Sequence, residues 1–139
     1  MEKQPAQEAK QNLKGDVIKA TGYCIAGYFI PGLGHALQKK FSRAAVFFAC
    51  ILIMAWLGLY LQGRLYGPMT DDIFTFTNLK FFAEAGAGLA YWIPMWSGSG
   101  GGDPRAYTYD YANLFLYVAG LLNMLVLIDV FDIALGRKE

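Results

Sequence analysis

The sequence predicts an all-α integral membrane protein with three to four transmembrane helices, the first bent or re-entrant. Three observations predict it. Twenty consecutive residues, Ala44 to Gly63, carry no charge, and about 20 apolar residues at 1.5 Å rise match a hydrocarbon core of about 30 Å. A second apolar stretch runs from Tyr111 to Leu135, interrupted only by Asp129 and Asp132. Of the 139 residues, 55% are hydrophobic and only 17% charged, and a water-soluble domain has no use for a helix that is apolar on every side.

Four apolar segments follow in order: 17–34, 44–62, 79–96 and 111–135. Residues 1–16, MEKQPAQEAKQNLKGD, form a polar N-terminal tail that is not a secretory signal, and residues 136–139 a polar C-terminus. The first segment carries Gly22, Gly27, Pro31, Gly32 and Gly34. Gly and Pro are tolerated in membrane helices where neighbours satisfy the freed backbone, so this segment is either a bent span or a hairpin returning to the same face. The third segment has Lys80 and Glu84 one helical turn apart near its start, close enough to pair. Small residues follow at four-residue spacing, Ala83 with Ala87 and Gly86 with Ala90. Such faces let helix backbones approach closely in lipid, either within the chain or against another subunit.

The connections are a short basic stretch with Lys39, Lys40 and Arg43, a stretch containing Gly67-Pro68 and Asp71-Asp72, and the flexible run SGSGGGDPRAYTYD. Cations set membrane orientation. If all four segments span, Lys3, Lys10, Lys14, Lys19, Arg64, Lys80, Arg137 and Lys138 share the N-terminal side, eight against four. If the first is re-entrant, Lys39, Lys40, Arg43 and Arg105 replace the last four of these, and the count is again eight against four. Both place the N-terminus in the cytoplasm; they differ on the C-terminus.

Composition excludes several functions. A net charge of +1 supplies no basic patch for nucleic acid. One histidine and two isolated cysteines cannot assemble the common hydrolase and metalloenzyme constellations. Cys24 and Cys50 lie in apolar segments and read as small packing residues. The run at 98–102 lacks the Gly-Lys-Ser/Thr ending of a phosphate loop.

The remaining candidates are few. Pro31, Gly32 and Gly34, with the basic residues Lys39, Lys40 and Arg43, read as a membrane turn, because Pro ends a helix and Lys and Arg meet anionic headgroups. His35 within this motif is a capping residue or, alternatively, an axial ligand to haem or a chlorophyll-type pigment. Asp129 and Asp132 lie one turn apart late in the last segment, where an ionisable group is costly; they form local ion pairs with Arg137 and Lys138, or Asp129 reaches another helix, for instance Lys80 or a partner. Asn113 and Asn123 read as hydrogen-bonding glue between helices. Gly86, Ala90, Asn123 and Asp129 are thus the candidate helix-packing or partner contacts. Tyr91, Trp92, Trp96, Tyr107, Tyr109, Tyr111 and Tyr117 suit an interfacial belt.

The stretch FIPGLGHALQKKFSRAAVFF resembles a widespread bacterial membrane hairpin in which an apolar segment ends in Pro-Gly-x-Gly, a short basic turn follows, and a second apolar helix begins. With GAGLAYWI, GDPRAYTYDYAN and VAGLLNMLVLIDVFDIALGRK, the chain resembles a small acidobacterial-type family of polytopic membrane proteins of unknown function. The resemblance supports a helical fold in a bacterial inner membrane and brings no catalytic residues. The function expected is that of a non-catalytic accessory subunit of a larger membrane complex of the bioenergetic kind, photosynthetic or respiratory. Its partners would be membrane lipids and larger membrane subunits, with no nucleic acid. Alternatives are a small transporter or channel component, and a pigment- or haem-binding subunit. The cofactor is unknown; lipid, a chlorophyll-type pigment and haem are the options.

Overall fold

The computed structural model describes residues 3–68 and 75–138. The described residues are all-helical apart from one isolated bridge between Arg64 and Gly101. Six helices follow in order: α1 (Lys3–Phe29), α2 (Leu33–Leu37), α3 (Phe41–Tyr60), α4 (Phe76–Ala85), α5 (Leu89–Ser97) and α6 (Tyr109–Ala134). Asp71 and Asp72 of the second connection lie outside the described residues.

Two helices are long and apolar enough to cross a membrane, α3 with 20 residues and α6 with 26. They coincide with the second and fourth apolar segments. Only 22% of the most apolar window of α3 and 33% of that of α6 is buried, so neither is enclosed as the core helix of a water-soluble fold would be. They pack antiparallel. The hydroxyl of Thr108, at the head of α6, donates to Leu61 O at the tail of α3, and a Cβ on Gly58 would meet Leu116 at 2.6 Å. Ile51, Ala55, Ala119, Val126 and Val130 form the core between them.

The other two segments are each broken into a hairpin. Helix α1 lies antiparallel to α6: the Cys24 thiol donates to Leu127 O, and the Asn123 amide reaches Tyr28 O. It therefore ends near the middle of α6. The chain then reverses at Pro31 and Gly32, the latter at φ 80°, a left-handed conformation that suits glycine. Helix α2 runs back beside α1, so that a Cβ on Gly34 would meet Tyr23 O at 2.9 Å and Val130 at 2.8 Å. The polar stretch 1–16 is helical from Lys3 onward and extends α1 beyond the end of α6.

The third segment is a second hairpin, entering from the opposite end. Helices α4 and α5 have 10 and 9 residues, about 15 Å each at 1.5 Å per residue, half of what a span needs. Gly86–Gly88 breaks them apart. Helix α4 lies on α6, with Gly86 packed against Gly120 O. Helix α5 returns alongside it: the rings of Phe81 and Tyr91 meet edge-on at 6.0 Å, and the Tyr91 hydroxyl donates to Tyr66 O. Three to four spans were expected, the first bent or re-entrant; the described residues show two helices long and apolar enough to span, a first segment that turns back on itself, and a third made of two short helices. One continuous apolar run reads alike in either case, and only the breaks at Pro31-Gly32 and Gly86–Gly88 distinguish them.

Candidate functional site

The two hairpin tips meet beside the midpoint of α6, and polar side chains stitch them together. The hydroxyl of Tyr28, from the first tip, donates to Ala85 O on the second at 2.9 Å and accepts from Trp92 Nε1 at 3.2 Å. Asn123 of α6, fully buried, donates Nδ2 to Gly86 O at 2.9 Å and to Tyr28 O at 3.4 Å, so one amide serves both tips. Gly88, at φ 62°, sits against Tyr28 O; a Cβ there would overlap that carbonyl. The carbonyl end of α1 thereby faces the amino end of α5, an arrangement the helix dipoles favour. Freed backbone at such depth is tolerated only where protein encloses it, and these contacts enclose it.

Above the junction, within the second hairpin, lies a buried carboxyl. Glu84 is 1% exposed, and its Oε2 accepts the Tyr66 backbone N–H at 2.8 Å. Tyr66 is the hub of this region. Its hydroxyl shares a hydrogen bond with Tyr109 at 3.2 Å, its carbonyl accepts from Tyr91 at 2.6 Å, and the Lys80 ammonium lies 4.9 Å from its ring centre. Asn113 Oδ1 accepts the neighbouring Arg64 N–H at 2.8 Å. The pairing of Lys80 with Glu84 suggested by their spacing gives way to these contacts: the ammonium sits over aromatic faces while the carboxyl takes a backbone donor.

Below the junction, His35 is fully buried. Its Nε2 lies 3.0 Å from Asp129 Oδ2, and Lys138 Nζ lies 3.1 Å from Asp129 Oδ1. Asp132 pairs with Arg137 at 3.5 Å. The Gln38 amide donates to Val130 O at 2.9 Å. These contacts pin α2 to the end of α6.

On the lateral surface, a groove of about 440 Å³ opens between the first tip, α3 and α5, with Pro31, Ala55, Ala90 and Pro94 along it and Trp56 and Ile93 at its side. No polar group contributes appreciably to its lining. Among the described residues, no cluster of three metal-ligating side chains exists.

A family model described as a family of unknown function, DUF6677, matches residues 22–139. The chain belongs to the DUF6677 family. Neither curated proteins nor solved structures supply a match. The match covers both hairpins and both long helices of this DUF6677 chain, and leaves out the part of α1 that projects beyond α6.

The residues singled out from the sequence fall into different places. The six turn residues separate: Pro31 and Gly32 form the inner tip, Gly34 lies in the return helix α2, and Lys39, Lys40 and Arg43 follow that helix at the outer end, with Lys39 at φ 63°. Gly86 and Asn123 meet at the tip junction. Ala90 packs toward the core and lines the lateral groove. Asp129 finds its partners in His35 and Lys138, and Lys80 lies at the other end of the bundle. In this arrangement His35 gives Nε2 to Asp129 and keeps Nδ1 in the interior. Sequence reasoning missed Tyr66 and Tyr28. Tyr66 lies in a connection without periodicity, and Tyr28 reads as one more aromatic in an apolar run.

Proposed function

We propose that this chain is an integral membrane protein in which α3 and α6 span and the two hairpins are re-entrant from opposite faces, and that it serves as a non-catalytic subunit of a larger membrane assembly. The observation that carries this reading is the contrast between its interior and its flank. The interior polar side chains each reach at least one partner within the chain: Asp129 pairs with His35 and Lys138, Glu84 Oε2 takes the Tyr66 backbone N–H, and Asn123 holds both tips. The flank presents a wholly apolar groove with small residues on its floor, a shape that accepts an apolar helix, since close packing rather than hydrophobicity drives association in lipid.

The distribution of cations supports one orientation. Lys3, Lys10, Lys14, Lys19, Lys39, Lys40, Arg43, Arg137 and Lys138 belong to the end where α1 begins and α6 finishes; Arg64, Lys80 and Arg105 belong to the other. Nine against three is a clearer bias than either count from sequence. In our reading both ends of the chain lie on the cytoplasmic face, the side that cations favour.

A second reading, a transporter or channel component, is favoured by the opposed hairpins, because discontinuous helices that stop at the bilayer midplane mark binding sites in transporters. One experiment separates the two. A tagged copy is purified from mildly solubilised native membranes, and the co-purifying proteins and the visible spectrum are recorded. The expected result is a stoichiometric set of larger membrane subunits, with any haem or pigment band reporting the bioenergetic class. A lone, colourless protein overturns the subunit reading, and flux in liposomes then tests the second.

A further inference from the structure

Glu84 is buried, whereas Asp129 is partly exposed. Asp129 has two basic partners. Glu84 has one backbone donor on Oε2, while its Oε1 is buried without a hydrogen-bond partner. No basic side chain reaches its carboxyl within ion-pair distance among the described residues. Lys80, one turn back on the same helix, has its ammonium over the rings of Tyr66 and Phe76, at 4.9 and 5.5 Å. The other titratable groups around the carboxyl are hydroxyls: Tyr66 from the connection, Tyr91 from α5, Tyr117 from α6 and, at the tip, Tyr28 from α1.

The carboxyl also borders a small cavity between α3, α4, α5 and α6, bounded by Ala55, Leu65, Ala87, Tyr91 and Ala119, with about 10 Å³ open to the centre of a water molecule. That is room for about one water. An ionised carboxylate held by a single donor in such a place costs far more than the neutral acid, and an ionisable group at membrane depth is a functional position by default.

We infer that Glu84 is a proton-binding site, with the proton on Oε1 and hydrogen-bonded to a single water in the adjoining cavity. Release gives the carboxylate, held by the Tyr66 N–H, and a proton carried off by that water. The site stands where α4 stops at mid-depth, one turn from the junction of the two tips. It rests on the proposed membrane placement of α3 and α6 but not on the subunit reading.

The test uses the wild-type chain in lipid vesicles with its glutamates carrying ¹³C carboxyls, read by infrared spectroscopy. The chain has four glutamates, Glu2, Glu8, Glu84 and Glu139; the three besides Glu84 lie in the polar ends, where a carboxyl with the ordinary value of about 4.3 is ionised at neutral pH. The expected result is one isotope-shifted protonated-acid C=O band at neutral pH, lost as the pH is raised and absent from Glu84→Gln. A glutamate-edited spectrum holding only carboxylate bands at neutral pH overturns the inference. The assignment stands on the wild-type protein alone, so a Glu84→Gln chain that fails to fold does not obscure it. The co-purification result leaves it untouched.

Discussion

At the residue scale, the junction depends on Gly88. It combines φ 62° with a carbonyl where a side chain would begin, so Gly88→Ala meets two penalties: a left-handed backbone and a clash with Tyr28 O. The strained backbone alone costs about 1–3 kcal/mol. We expect a lower midpoint in thermal unfolding in mild detergent, with Gly98→Ala as the comparison, since Gly98 shares the left-handed backbone but has open space around it. An equal loss in both variants would mean that the tip contact contributes nothing. Little of this was legible beforehand. Gly88 is one glycine among 16, and its requirement arises from a residue 60 positions away. Asn123 was legible as glue because an amide in an apolar run has few other uses, whereas Tyr66 and Tyr28 carried no such mark.

At the element scale, hydropathy reveals α3 and α6 because each holds a long apolar run, broken in α6 only by Asp129 and Asp132 near its end. It fails on the hairpins because a segment folded back on itself has the same composition as one bent helix. The Gly and Pro breaks were visible; the reversal was set by pairing across the chain, as with His35 and Asp129, 94 residues apart. That pair holds the return helix α2. Removing it by His35→Ala leaves Asp129 with Lys138 and loosens the first hairpin by about 1–3 kcal/mol. The two free cysteines report this directly. Cys24 is half-buried against α6 and Cys50 is exposed on α3. We expect a membrane-permeant thiol reagent to label Cys24 faster in His35→Ala, by about tenfold per 1.4 kcal/mol lost, with Cys50 unchanged. Equal Cys24 rates would show that α2 is held without the pair.

At the scale of the whole molecule, the proposed spanning arrangement with opposed hairpins predicts which parts share a side of the membrane. Single cysteines at Gln38→Cys and Ser99→Cys, in a chain lacking Cys24 and Cys50, are expected to react with an impermeant reagent from the cytoplasmic and the opposite face respectively. Reaction of both from one face would break the topology. The tip junction has a further consequence, for biogenesis. The partners of the first hairpin on α4, α5 and α6, among them Ala85, Gly88, Trp92, Asn123, Leu127 and Asp129, are synthesised well after it. The amino-terminal third of the chain therefore leaves the ribosome without the surfaces that hold it at mid-depth. We expect the first hairpin to reach its final place only once α6, the last helix made, is available to hold it.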